Sequence, residues 1–116
     1  MIALNPPFRS RPDQRPVFEP GQIIRHRRYL YRGVVVQRDE SCQADDAWYY
    51  KNQTQPDRNQ PWYHVLVDES VSVTYAAAEN LEADDSGDPI AHPLLTHFFL
   101  AFEEGRYVRN ERPWPG

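Results

Sequence analysis

The chain has almost no cysteine and no long apolar run, and each absence excludes a class of protein. Its 116 residues include one cysteine, Cys42, so no disulfide can form within the chain. A single thiol is typical of a reducing compartment, and we expect a cytoplasmic protein. No run of about 18 apolar residues is present, so we expect no membrane-spanning helix. The start of the chain also lacks the apolar core of a signal peptide.

The motifs that carry catalysis or metal binding are also missing. The sequence contains no GxSxG or SxxK nucleophile, no glycine-rich phosphate loop, and neither CxxC nor HExxH. Its four histidines (His26, His64, His92 and His97) have no ligand spacing with one another or with Cys42. We therefore predict a protein that is not an enzyme and has no catalytic residue, no metal site and no cofactor. For His64 we predict a hydrogen-bonding role within the fold.

Charge is present but unevenly distributed. The net charge is −4, yet residues 1–38 carry +6, residues 39–105 carry −12 and residues 106–116 carry +2. The basic residues are twelve arginines and one lysine. A basic segment on an acidic body indicates an edge that faces a polyanion such as nucleic acid. The arginine bias is equally typical of a GC-rich genome, because arginine codons are rich in G and C.

Proline is concentrated at both ends of the chain. Five of the eleven prolines lie in the first 20 residues and two lie in the last four. Because these segments show no hydrophobic periodicity, we predict an extended Arg/Pro-rich arm over residues 1–18 and a tail over residues 109–116. The folded domain is then expected to span residues 19–108.

The stretch 61–70 predicts the central element of that domain. Side chains alternate across a strand, so Trp62, His64 and Leu66 would share one face, and Tyr63, Val65 and Val67 the other. Both faces carry apolar residues, which predicts a strand over 61–68 that is covered on both sides. Such a strand is typical of the core of a small β-barrel.

The flanking segments supply its partners. Strands are predicted over 22–27, 31–38, 71–78 and 106–108, a helical or 3₁₀ turn over 79–81, and a short helix over 44–52 within the polar insertion 39–60. Gly33 predicts a bulge or bend in the second strand. Trp48 and Tyr49 are expected to fold back onto the barrel. Leu95, Phe98, Phe99 and Phe102 have the i, i+3, i+4, i+7 spacing of an amphipathic helix, which Gly105 would end.

A hairpin of the first two strands would collect five arginines: Arg25, Arg27, Arg28, Arg32 and Arg38. These are our candidate DNA-binding residues, because guanidinium groups bind phosphate. The alternative is that they are solvated charges that protect a sheet edge from aggregation, and the sequence favours neither interpretation.

Several motifs together resemble the YccV-like family, also called hemimethylated DNA-binding or HspQ-like. They are Pro20-Gly21-Gln22-x-x-Arg25-His26, Tyr31-x-Gly33-Val34-Val35-Val36, Pro61-Trp62-Tyr63-His64-Val65-Leu66-Val67, Thr74-Tyr75-x-Ala77-x-x-Asn80-Leu81 and His92-Pro93. The resemblance covers about residues 18–108. It assigns a structural role to the motif residues Gly33, Pro61, Trp62, Tyr63, His64, Tyr75, Asn80 and Leu81.

The resemblance implies a mainly β protein that folds as a small, partly open SH3-like β-barrel. The apolar spacing after Leu95 adds a short C-terminal helix to this prediction. It also implies a cytoplasmic protein without catalytic activity. Members are associated with binding hemimethylated DNA, and with heat-shock quality control as an adaptor for an ATP-dependent protease. A related domain occurs in an animal F-box protein, which points to protein turnover.

Two functions follow as expectations. The first is DNA binding, with a hemimethylated duplex as a candidate partner. The second is an adaptor that contacts a protease or a client protein through aromatic side chains, for which Trp48, Tyr49, Tyr50 and Trp114 are candidates. A homo-oligomer built on an open barrel edge fits either function.

Overall fold

The structure is a computed structural model that describes residues 15–52 and 54–115. Within this part of the chain the elements are β1 (Ile23–His26), β2 (Arg32–Asp39), α1 (Asp46–Lys51), β3 (Trp62–Val67), β4 (Val73–Ala77), a 3₁₀ turn (Ala78–Asn80), β5 (Leu81–Ala83), α2 (Leu95–Phe98), β6 (Phe99–Glu103) and β7 (Arg106–Arg109). No described helix is long and apolar enough to cross a membrane.

Five strands form one antiparallel sheet in the order β4-β3-β2-β1-β5, and β6 and β7 form a separate hairpin. The 3₁₀ turn joins β4 directly to β5, which are the two edge strands of the sheet. The sheet therefore curls without closing. The prediction of a mainly β, small and partly open barrel with a short C-terminal helix is confirmed.

β3 lies inside the sheet and is buried on both faces, as its sequence predicts. Trp62, Tyr63, Val65 and Leu66 are each at most 2% exposed. Tyr63 and Val65 pack in one core cluster, while Leu66 packs in a second, on the side of α2 and the β6–β7 hairpin. Each such side chain contributes about 1.5–3 kcal/mol through burial, so β3 is a main source of stability.

Gly33 does not form the predicted bulge. The register of β2 against β3 shifts between Val35 and Gln37, so the bulge lies at Val36. A Cβ on Gly33 would lie 2.4 Å from Cγ1 of Val65 and 2.6 Å from the carbonyl oxygen of Leu66. The glycine is required because β3 approaches closely, and the bulge lies three residues later.

The predicted amphipathic helix ending at Gly105 is wrong in extent. The helix ends at Phe98, and the chain continues as β6, which pairs with β7. Glu104 and Gly105 form the turn with φ values of 53° and 80°, the backbone of a two-residue hairpin loop. A backbone hydrogen bond attaches this hairpin to the segment before β1, since the N–H of Tyr107 donates to the carbonyl of Gly21 at 2.9 Å.

The chain packs against the barrel beyond both ends of the predicted domain. Phe18 is 3% exposed, and its backbone N–H donates to the hydroxyl of Tyr63 at 2.9 Å. At the other end the ring of Trp114 lies 5.0 Å from that of His64. Residues 1–14 of the predicted arm lie outside the described residues.

We predict that Gly33→Ala destabilises the protein by about 2 kcal/mol, because the added methyl group overpacks the β2–β3 contact. Chemical denaturation of the purified variant measures this change. The matched control is Gly87→Ala, where a Cβ meets nothing within 4 Å and the substitution costs only the strain of φ +78°, about 1 kcal/mol. Equal stability of the two variants would contradict this account of Gly33.

Candidate nucleic-acid interface

The turn between β1 and β2, residues 27–30, contains two of the five candidate arginines, Arg27 and Arg28, and Arg25 precedes it in β1. We call this turn, together with Arg25, the basic turn. Two hydrogen bonds close it: the N–H of Leu30 donates to the carbonyl of His26, and the N–H of His26 donates to the carbonyl of Tyr31, each at 2.9 Å. Leu30 has φ of 64°, a conformation that favours glycine. The turn is therefore a defined structure that holds its tip residues in fixed positions.

The imidazole of His26 supports this turn from below. It is 4% exposed and its ring stacks on that of Tyr29 at 4.7 Å. Nδ1 accepts the backbone N–H groups of Arg28 at 3.1 Å and Tyr29 at 3.0 Å, so this nitrogen carries no proton. Burial, together with the charge of Arg28, lowers the pKa of His26 to about 4. The ring is neutral at physiological pH and acts as an acceptor that orders the basic turn.

Arg25, Arg27 and Arg28 are exposed around the turn. Arg27 donates through Nε to the carbonyl of Leu81 at 3.2 Å, and its guanidinium lies 3.6 Å from the Glu82 carboxylate. Both partners of that ion pair are about half exposed, so water screens it. The three guanidinium groups remain accessible to an anion.

Arg32 is cross-strand from Arg25 but is used within the fold. Its guanidinium pairs with the carboxylates of Asp68, at 3.0 Å, and Asp84. Burial is the largest single influence on the pKa of Asp84 and raises it, but the hydrogen bonds from Arg32 and Ser86 and the charge of Arg32 together hold this pKa below its usual value. The arginine thus fastens the acidic loop after β5 to the sheet.

Arg38 does not belong to this surface. It pairs with Glu19 at 3.1 Å and Glu40 at 2.9 Å. Six residues of strand separate it from Arg32, a distance of roughly 20 Å. The structure therefore brings together Arg25, Arg27, Arg28 and, as a structural neighbour, Arg32, instead of the five arginines expected from the sequence.

The motif residues mostly hold the barrel together. Trp62, Tyr63 and Leu81 are core side chains. The carbonyl of Pro61 accepts the N–H of Ala78 at 2.9 Å, and that of Asn80 accepts the N–H of Arg27 at 2.8 Å. Through the second bond the 3₁₀ turn positions the basic turn.

His64 and Tyr75 belong to a groove that the sequence analysis did not identify. Both bind Oδ2 of Asp39: the Tyr75 hydroxyl donates at 2.6 Å and Nε2 of His64 lies at 3.3 Å. Together with Trp48 of α1 and Trp114 of the tail they line a groove of about 580 Å³. The sequence analysis places Asp39 at the start of the polar insertion 39–60, and the bulge at Val36 turns it to the face of the sheet that carries His64. We call this the aromatic groove.

The described part of the chain contains no cluster of side chains that could hold a metal ion. Within residues 15–52 and 54–115, no three side chains of His, Cys, Asp or Glu are arranged as metal ligands.

Comparisons with known proteins agree with the motifs. Residues 16–106 match the profile of a family described as hemimethylated DNA-binding protein YccV like. F-box only protein 21 from Homo sapiens and from Pongo abelii is 33% identical over 93 residues, and that from Mus musculus is 32% identical. The match covers 78% of this chain, and the chain spans about 15% of the length of these curated relatives.

We predict that His26 makes stability depend on pH. Folding lowers its pKa from 6.5 to about 4, so the unfolded chain binds a proton first as the pH falls. Its stabilising contribution is complete above pH 6.5 and is lost towards pH 4, about 2–3 kcal/mol over this range.

His26→Asn keeps an acceptor near the position of Nδ1 but cannot titrate, and it provides the comparison. Urea denaturation between pH 4 and pH 7 should give a shallower pH dependence of the unfolding free energy for the variant. If the unfolding free energies of the two proteins have the same pH dependence, the pKa of His26 is the same in the folded and the unfolded chain, and the prediction is wrong.

Proposed function

The chain belongs to the YccV-like family of hemimethylated DNA-binding proteins, and we propose that it binds duplex DNA through the β1–β2 turn without catalysing a reaction. The observation that supports this most is the fixed display of Arg25, Arg27 and Arg28 beside the exposed side chains of Tyr29 and Leu30. A reducing, cytoplasmic setting is part of the proposal, as the single thiol of Cys42 suggests.

The arginines would contact phosphate groups. Residues 39–105 carry −12, so most of the body repels a duplex, and the basic turn offers a side from which it can approach. Such a limited contact, with three available guanidinium groups, predicts weak binding that falls steeply as salt is added.

The tip of the turn would contact the bases. α1 has six residues and α2 has four, so neither described helix is long enough to act as a recognition helix. β1 and β2 are inner strands of the five-stranded sheet, so only the turn that joins them could enter the major groove, where a base methyl group is exposed. Leu30 is 63% exposed in this turn and offers an apolar surface to a methyl group. Its left-handed backbone is strained, as is common at binding sites.

A second candidate function is that of an adaptor in heat-shock quality control, which modulates an ATP-dependent protease through protein contacts. The aromatic groove favours it, because aromatic side chains are enriched at protein interfaces. The occurrence of a similar domain in F-box only protein 21 is compatible with it. Self-association is compatible with either function, through the exposed Leu100, Phe102 and Val108 of the β6–β7 hairpin.

For the DNA function we predict that a variant with Arg25, Arg27 and Arg28 changed to glutamine loses duplex binding. In fluorescence anisotropy at two salt concentrations, the wild type should bind at low salt. The slope of the logarithm of its affinity against the logarithm of salt concentration should be steeper than that of any residual binding by the variant, by up to about three. The control variant carries Lys51→Gln, Arg106→Gln and Arg112→Gln, which remove the same charge from exposed positions on other elements.

Equal loss of binding in the two variants would show that net charge, and not the turn, determines affinity. An absence of wild-type binding even at low salt would reject the DNA function and favour the adaptor.

Recognition of the methyl group is tested separately with Leu30→Gly. Glycine adopts φ of 64° without strain, so the fold should be retained, while the apolar contact is lost. If Leu30 contacts the methyl group, the wild type binds hemimethylated duplex more tightly than unmethylated duplex, by a factor of roughly 3–10, and the variant binds both equally. Equal wild-type affinity for hemimethylated, fully methylated and unmethylated duplexes would show that the protein contacts the phosphates without recognising the methyl group.

A further inference from the structure

The aromatic groove has the composition of a cation-binding site. Four rings line it, those of Trp48, His64, Tyr75 and Trp114, and all four are half-buried. The rings are mutually packed: His64 lies 4.4 Å from Tyr75 and 5.0 Å from Trp114, and Trp48 contacts Tyr75 edge-on at 5.6 Å. Ring faces held in this way attract cations through the negative charge of their π-systems.

The electrostatics of the groove point to the same ligand. Among the described residues its lining contains no lysine or arginine, and the only lining side chain among them that is charged at neutral pH is Asp39. Burial lowers the pKa of His64, and the opposing effect of Asp39 is smaller, so the imidazole stays neutral. Burial and the bond to Asp39 raise the pKa of Tyr75, so its hydroxyl keeps its proton. The groove therefore carries one uncompensated negative charge among aromatic rings.

Asp39 retains an acceptor for a ligand. Tyr75 and His64 both bind its Oδ2, and within the described residues no hydrogen bond reaches its Oδ1. Oδ1 is not fully buried, and Asp39 lines the groove. A single open oxygen fits an ammonium group, which is a point charge, better than a guanidinium group, which prefers two oxygens.

We propose that the aromatic groove binds the lysine side chain of a partner protein. The ammonium group lies against Oδ1 of Asp39, and the aliphatic stem lies along the rings of Trp48, Tyr75 and Trp114. The surrounding acidic segment, with Glu40 and Asp45 next to the groove in sequence, attracts a basic partner. The site is distinct from the basic turn, and it gives the second candidate function, contact with a protein, a defined position on the molecule.

The test uses the full chain and blocked Ala-Ala-Lys-Ala-Ala peptides in which the lysine is unmodified, trimethylated or acetylated. The readout is the indole N–H resonances of the three tryptophans in an NMR titration. We expect the resonances of Trp48 and Trp114 to shift with the unmodified and trimethylated peptides, which keep the positive charge. Trp62 is 2% exposed and its resonance should shift least. The acetylated peptide, which is neutral, should not bind.

Two variants locate the site. Asp39→Asn and Trp114→Ala should each weaken binding by about tenfold, since each removes one component of the cation site. Their matched controls are Asp85→Asn and Tyr50→Ala, at exposed positions outside the groove. Circular dichroism verifies that each variant is folded.

The proposal is overturned if the peptides cause no shift at millimolar concentration, if the acetylated peptide binds as well as the charged ones, or if both groove variants bind like their controls. The DNA titrations test other residues with another ligand. A negative result for lysine binding in the aromatic groove is therefore independent of a negative result for DNA binding at the basic turn.

Discussion

The burial of β3 on both faces is the constraint on which the rest of the structure depends. A shift of one residue in its pairing would exchange Tyr63 and Val65 with Trp62 and Leu66 between clusters of different shape, so the register of β3 is strongly determined. That register also determines the sites. It sets which residues of β2 and β4 flank β3, and so it brings Asp39 and Tyr75 to the ring of His64.

Arginine has two different roles in this molecule, and burial distinguishes them. Arg32 and Arg38 are partly buried beside carboxylates, where their charge is neutralised and fastens loops to the sheet. Arg25, on β1, and Arg28, in the turn that follows it, are exposed to water, where their charge is available to a ligand. A count of basic residues cannot separate these roles, because the acids that neutralise Arg32 come from loops that are distant in sequence. Asp68 and Asp84 reach Arg32 only through the fold.

Much of the fold followed from periodicity, and the exceptions have physical reasons. Strands β1 to β4 and β7, the 3₁₀ turn and the packing of Trp48 onto the barrel agree with the sequence analysis, whereas β5 was not predicted. The segment after Leu95 does not agree, because its apolar spacing fits a helix locally, while β7 offers backbone hydrogen bonds that only a strand can use. The sequence alone predicts a bulge or bend at Gly33, because bulges and the close approach of a neighbouring strand both favour glycine within a strand; the position of Val65 shows that close approach is the reason here.

The sequence by itself determined the class of the fold, the central strand and the family, since these depend on the alternation of apolar residues and on contiguous motifs. It also identified the basic turn, because Arg25, Arg27 and Arg28 are close in sequence. Only the tertiary structure decided which arginines keep an accessible charge and that Asp39, Trp48 and Trp114 meet around His64. The reason is that the groove is assembled from five separate segments, with the bulge at Val36 setting the position of one of them. Such an arrangement depends on distances that no local pattern contains.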